Sequence, residues 1–99
     1  MKSGCINPYC VYITSNPRRT TFYTGVTNDL ERRMFEHYTN RGNKNTFAGK
    51  YFCHVLVYYE SYPYMNMAIK RENEIKDLSK KKKVDLIKAS NPKFKKLLL

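Results

Sequence analysis

The sequence predicts an α+β fold: a small three-stranded antiparallel sheet flanked by helices, in the order β-β-α-β-α-α. Three observations carry this. YCVYITS at 9–15 alternates with period two and runs into the turn SNPRRT, as a hairpin does. Leu30, Met34 and Tyr38 recur at helical spacing. YFCHVLVYYE at 51–60 is rich in β-branched and aromatic residues and sits between two helical stretches.

In the first strand Tyr9, Val11 and Ile13 point one way and Cys10, Tyr12 and Thr14 the other. Asn16-Pro17 cannot continue a ladder, and Arg18 and Arg19 favour water, so the chain reverses there. A second strand follows at about 21–26, with Phe22, Thr24 and Val26 on one face and Tyr23 and Gly25 on the other. If the apolar sets face the core, Tyr12 and Tyr23 emerge together on the opposite side. Asn28 followed by Glu31 has the pattern of a capping box, which places a helix at about 29–40. NRGNKNTFAGK at 40–50 has no period and reads as a loop. The strand at 51–60 is apolar on both faces at its centre, as expected of a strand covered on two sides. Pro63 suits the start of the next helix, whose stripe Met65, Ala68, Ile69, Ile75 and Leu78 faces the core. Ser79 suits the N-cap of a last helix with Val84, Ile87 and Leu86 inward, ending before Pro92.

Ninety-nine residues fit one domain, 1–99, with its core at about 9–90 and short tails. Nineteen Lys and Arg against eight Asp and Glu leave a net charge of +11, which points to a polyanionic partner, nucleic acid before membrane. Nine tyrosines and five phenylalanines exclude a disordered basic tail. No apolar run suits a membrane span or a signal peptide, so a cytoplasmic protein is expected. Cys5, Cys10 and Cys53 are an odd count without an export signal and read as free thiols. With His54 they would number four zinc ligands, but no pair has the spacing of a zinc knuckle, and zinc is left out.

Glu72 is the residue that patterning does not explain, because it falls in the middle of an otherwise apolar helix face. A carboxylate there needs a cation, a metal or a wet cleft in front of it. A salt bridge to Arg33 or Lys76 would satisfy it equally well. Tyr12 and Tyr23 could be ordinary packed tyrosines. Gly25 fits a place where a backbone or a phosphate comes close, though any strand-to-helix turn could also want it. Arg33 and His37 share one face of the helix, next to Tyr23. Arg32 and Arg33 are either a solvated face or phosphate ligands, and Lys80, Lys81, Lys82 and Lys83 are suited to grip backbone without reading bases.

Val11-Tyr12, then Tyr23-Thr24-Gly25, Asn28-Asp29-Leu30-x-x-Arg33-x-x-x-His37 and Ala68-x-x-x-Glu72 together resemble the GIY-YIG endonuclease domain over about residues 9–90. Arg71-Glu72-x-x-Ile75-Lys76, Lys81-Lys82-Lys83 and Asn91-Pro92 look most like its small stand-alone UvrC/intron-endonuclease-like (URI, YhbQ-type) branch. The resemblance implies a three-stranded sheet with helices and hydrolysis of phosphodiester bonds, in DNA before RNA, with one Mg²⁺ or Mn²⁺. It implies a setting of repair, recombination or mobile-element processing. Tyr12 and Tyr23 match the signature tyrosines, Gly25 the glycine, Arg33 the helix arginine and Glu72 the metal-binding glutamate. His37 stands where members carry histidine or tyrosine, and Asn91 matches a late asparagine only loosely. Cys10, Val11 and Thr24 depart from the signatures, and Val26 replaces a lysine of the repair nuclease. The implied roles are Glu72 on the metal, Arg33 on phosphate oxygens and Tyr12 on the attacking water, with Tyr23 or His37 hydrogen-bonded nearby. For Tyr12 to act as a base, its pKa must fall from the ordinary value of about 10. Specificity would come from DNA shape or from a partner protein. The rival reading is a non-catalytic basic nucleic-acid-binding module on the same scaffold.

Overall fold

The computed structural model describes residues 7–98. The chain forms β1 (Tyr9–Ser15), β2 (Phe22–Thr27), α1 (Leu30–Thr39), α2 (Phe47–Lys50), β3 (Val55–Tyr62), α3 (Met65–Lys76) and α4 (Lys80–Ser90). The expected α+β architecture is present. The order contains one element more than expected: the stretch read as a loop at 40–50 includes the short helix α2. Period is invisible in a helix this short. What makes it is a cap, Thr46, whose side chain accepts from the Gly49 N–H at 3.0 Å.

The strands form one antiparallel sheet in the order β2-β1-β3. β1 is the central strand, and Val11, Tyr12, Ile13 and Thr14 are all fully buried. Across the hairpin Tyr12 faces Gly25, and on the other side it faces Tyr59. The β1–β3 ladder shifts register between Ile13 and Thr14, whose partners are Tyr58 and Leu56. Val57 is thus the extra residue of a bulge.

Alternation in β1 and β2 divides the core into two layers. Val11 and Ile13 pack with Val55, Val57, Ala68, Ile75 and Ile87, so α3 and α4 cover one face. Tyr12 packs with Cys10, Leu30 and Leu56 beneath α1 on the other. Each fully buried Ile or Leu here contributes on the order of 2 kcal/mol of transfer free energy. Two expectations for the helices need correction. The N-cap of α1 is Asp29 rather than Asn28; its carboxylate accepts from the Arg32 N–H at 3.1 Å. The inward stripe of α3 is narrower than its apolar residues suggest: Ala68 and Ile75 are buried, but Met65 and Ile69 are exposed. Asn91 is structural; its amide donates to Val57 O at 3.1 Å and to Lys95 O at 2.8 Å, tying the C-terminal segment to β3.

Among the described residues, no helix is long and apolar enough to cross a membrane. Cys53 is a buried free thiol, but Cys10 is disulfide-bonded, which corrects the expectation for that residue; Cys5 lies outside the described residues.

Candidate active site

Strand β1 delivers Tyr12 to the middle of the sheet with its ring under α1. The facing position on β2 must then be empty, and it is glycine. A Cβ on Gly25 would lie 2.5 Å from the Tyr12 hydroxyl oxygen. The missing side chain therefore makes room for a phenol of this chain, where the sequence suggested the close approach of a backbone or a phosphate.

Helix α1 lays Leu30, Met34 and His37 on the sheet, at the spacing of one helical face. His37 thus takes a position an apolar residue would usually hold, and it is 8 % exposed. Its Nε2 is 2.7 Å from the Tyr12 hydroxyl oxygen, while the Arg33 Nε–H donates to that same oxygen at 3.2 Å. Tyr23 completes the cluster, with its ring centroid 5.4 Å from that of His37 and 6.3 Å from that of Tyr12.

The electrostatics follow from burial in a cationic corner. Desolvation raises the Tyr12 phenol well above its ordinary value, and the hydrogen bond from Arg33 offsets only part of this. That is opposite to the lowered pKa a standing phenolate base requires. His37 moves down to about 4, through desolvation first and the nearby Arg33 charge second. At neutral pH the pair is a phenol and a neutral imidazole. Since Arg33 donates to the phenol oxygen, the hydroxyl proton points at His37 Nε2 and the ring proton sits on Nδ1. The hydrogen bond to Tyr12 is the main cause that raises the Arg33 guanidinium further above its already high value.

Two cavities open beside this cluster. One of about 370 Å³ lies between the end of β2 and the start of α1 and is lined by Val26, Asn28, Arg32 and Arg33. The other, of about 180 Å³, lies between α1 and α2 and reaches Tyr23 and His37. Arg33 and Glu36 line both. Glu36 was not foreseen. Its carboxylate accepts from Arg33 Nη1 at 3.1 Å and from Arg32 Nε at 3.2 Å, so it bridges the two arginines. The hydrogen bond from Arg33 is the main reason its carboxyl titrates below the ordinary range. Its spacing from Arg32 and Arg33 on one helix was the available signal.

Glu72 stands on α3, with 14 % of its side chain exposed, and pairs with Lys76 at 3.2 Å. This is one of the two partners its position suggested. Its charge is the weakest of the influences that raise the Tyr12 phenol, and Glu72 lines neither of the two cavities beside the cluster. Among the described residues no three His, Cys, Asp or Glu side chains gather around one point. A single carboxylate suits an ion that keeps most of its water and takes its other ligands from phosphate, as Mg²⁺ does. A closed protein cage, as zinc favours, has no counterpart there.

The lysines at 80–83 do not join the cluster. Lys80 and Lys83 meet Thr20 and Phe22 in a separate cavity of about 170 Å³ near the hairpin turn. Lys81 pairs with Asp85 at 3.4 Å, and the Lys82 backbone is capped by Ser79.

Comparison with known proteins gives a consistent picture. The model of the GIY-YIG catalytic domain matches residues 8–85. A UPF0213 protein of Staphylococcus saprophyticus is 39 % identical over 67 residues, which is 68 % of this chain and 79 % of that protein. A UPF0213 protein of Vibrio campbellii is 39 % identical over 82 residues, covering 83 % of this chain and 76 % of that protein. The solution NMR structure of a UPF0213 protein from Bacillus halodurans superposes with a TM-score of 0.54 at 31 % identity, covering 89 % of this chain and 90 % of the other.

Proposed function

Because the chain belongs to the GIY-YIG catalytic-domain family, a nuclease-type family, we propose that it is a divalent-metal-dependent endonuclease that hydrolyses phosphodiester bonds in DNA. The observation that carries this reading is the buried phenol of Tyr12, held between a neutral imidazole and Arg33, which with Arg32 lines the adjoining cavity.

Each group has a task it can perform where it stands. Arg33 and Arg32 offer planar donors to the oxygens of a phosphate in the larger cavity, and Arg33 stabilises the charge that builds there. The attacking water gives its proton to the Tyr12 oxygen as the Tyr12 proton passes to His37 Nε2. The water becomes hydroxide, Tyr12 stays neutral and His37 ends as imidazolium. No standing phenolate is needed, so the raised pKa of Tyr12 is compatible with the role, while His37, held down at about 4 by burial and Arg33, takes the proton only with the phosphate's negative charge set against that guanidinium. Glu72 would hold one Mg²⁺ or Mn²⁺, which when bound polarises the phosphate and supports the leaving oxygen. Tyr23 keeps the His37 ring in place.

The chain offers backbone grip rather than a base-reading element, so specificity comes from DNA shape or from a partner protein. Repair, recombination or mobile-element processing are the settings such an activity serves. The ion pair of Glu72 with Lys76 favours a second reading, in which Glu72 is structural and the domain binds nucleic acid without cutting it.

Nicking of supercoiled plasmid in Mg²⁺, against EDTA, separates the two. Wild type nicks only with the metal, Glu72→Ala is inactive with its fold intact, and Tyr12→Phe is slower by about 10²-fold with near-unchanged binding. Undiminished turnover by Glu72→Ala would rule the scheme out.

A further inference from the structure

We infer that the edge formed by Phe47 and Tyr51, together with the cavity it borders, takes one unstacked nucleobase of a single-stranded stretch of nucleic acid. Only the location of the neighbouring phosphate at Arg33 rests on the reading above.

The first observation is a group of aromatic rings that the core does not use. Phe47 is 51 % exposed and Tyr51 43 % exposed. Their centroids are 4.8 Å apart, and Phe47 stacks on Tyr23 at 6.3 Å with the planes 28° apart. A cation stands beside them, the Lys50 ammonium lying 5.4 Å from the centroid of the Tyr51 ring. Exposed rings set among lysines are how sequence-tolerant single-strand binding is built: bases stack on the rings and the cations follow the backbone. In a chain of net charge +11, this surface suits a polyanion better than an apolar protein partner.

The second observation is that this edge is held firmly. Thr46 caps α2, the Gly42 N–H donates to Gly49 O at 2.8 Å, and the Cys53 N–H donates to Ala48 O at 2.8 Å. A Cβ on Gly49 would lie 2.5 Å from Asn43 O, so the loop closes directly over the helix. Stacking on rings already in place does not carry the cost of ordering them.

The third observation is the cavity itself. At about 180 Å³ it is smaller than the roughly 300–1,000 Å³ of a cofactor-sized site, and suits a single ring system. Tyr23 and Phe47 give it aromatic walls, and Glu36, Asn40 and Thr46 supply polar groups at its rim. Arg33 and Glu36 separate it from the larger cavity, so a phosphate there and a base here are neighbours on one strand. A base within a duplex must first be unstacked and unpaired to reach the cavity, at a cost of a few kcal/mol that a single strand does not carry. The substrate class is therefore a single strand, a flap, a gap or a branch rather than uniform duplex.

The test is binding in EDTA, where cutting plays no part. Fluorescence anisotropy compares a labelled single-stranded oligonucleotide with its blunt duplex. Wild type prefers the single strand. Phe47→Leu and Tyr51→Leu, which keep apolar bulk but remove the ring, each weaken single-strand binding by about tenfold and change duplex binding by less than about twofold. Phe47→Tyr retains wild-type affinity. An oligonucleotide carrying 5-iodouracil cross-links to the peptide containing Phe47 or Tyr51. Unchanged single-strand affinity in both leucine variants, or cross-links confined to other peptides, would overturn the inference. Cleavage in Mg²⁺ of plasmid, branched and single-stranded substrates, read separately, keeps the two proposals apart: cutting without ring-dependent binding removes this one, and ring-dependent binding with no cutting of any of the three removes the endonuclease reading.

Discussion

The molecule contains two clusters with almost the same ingredients. One joins Tyr12, Tyr23, Arg33 and Glu36 on the α1 side of the sheet; the other joins Tyr58, Tyr62, Arg71 and Glu60 between β3 and α3. In the second, the Glu60 carboxylate accepts from both phenols, from Arg71 Nε at 2.9 Å and from Arg71 Nη2 at 3.0 Å. Burial alone would raise that carboxyl, but the hydrogen bonds from Arg71 and the tyrosines outweigh it and leave it below the ordinary range. The phenols bear the opposite effect: burial and the Glu60 charge push Tyr62 up to about 12. All its charges are matched by one another. In the first cluster the phenol pairs with an imidazole, and the arginine borders two cavities. Tyr62 and Arg71 also line a cavity, of about 240 Å³, so what separates a site from a brace is pairing: all three Arg71 nitrogens bond carboxylates, whereas Arg33 divides its donors between the Tyr12 phenol and Glu36.

That contrast predicts different losses on removing each arginine. Arg33→Ala lowers nicking by on the order of 10³-fold, because the developing phosphate charge loses its donor, while melting temperature barely moves. Arg71→Ala leaves a part-buried Glu60 without its cation. A fully buried pair would lose about 3–5 kcal/mol, and partial exposure reduces this to about 2 kcal/mol, or on the order of 10 °C in a domain of this size. Calorimetry and plasmid nicking read the two. Loss of nicking in Arg71→Ala at unchanged stability would break the comparison, since the brace would then be part of the chemistry.

The pH dependence sharpens it further. His37 titrates at about 4 in the folded chain against the ordinary 6.5, so between those values the unfolded chain binds more protons. Its contribution is fully present above pH 6.5 and is lost as pH falls toward about 4, on the order of 3 kcal/mol at the limit. Denaturant unfolding at pH 7 and pH 5 checks this. Wild type loses stability over that interval, and His37→Gln, which has no proton to gain, loses less. Equal slopes for the two proteins would mean that the histidine is not held neutral by its surroundings.

How much of this was legible beforehand depended on range. The hairpin, the placement of Tyr12 and Tyr23 on one face, and the shared face of Arg33 and His37 follow from local periods of two and 3.6, and the structure has them all. Helix α2 was not legible, because four residues carry no period and its cap, Thr46, is defined by a bond to Gly49 that sequence does not display. Gly25 was read as an opening for a backbone or a phosphate because the cross-strand partner that fills it, Tyr12, depends on register. The upward shift of the Tyr12 pKa was equally hidden, since it comes from packing by α1 on a strand far from it in sequence. Phe47 did carry a signal, an aromatic between lysines in a stretch with no core period; Tyr51 did not, because the sequence placed it in the strand expected at 51–60, whereas β3 begins at Val55.

The smallest effect concerns Glu36, and it tests whether the open cluster is as open as the comparison holds. Its carboxylate takes one nitrogen of Arg32 and one of Arg33, so an incoming phosphate competes with it for both guanidinium groups. Glu36→Gln removes that competitor and one negative charge from the rim of both cavities. Affinity for a single-stranded oligonucleotide is then expected to rise about fivefold at low ionic strength, with the gain shrinking as salt screens the added charge. The same change at Glu60, whose carboxylate serves only its own network, leaves nucleic-acid affinity unchanged and costs stability instead. A Glu36→Gln variant that bound no more tightly at any salt concentration would mean the two arginines are not the phosphate seat, and the two clusters would differ in exposure alone.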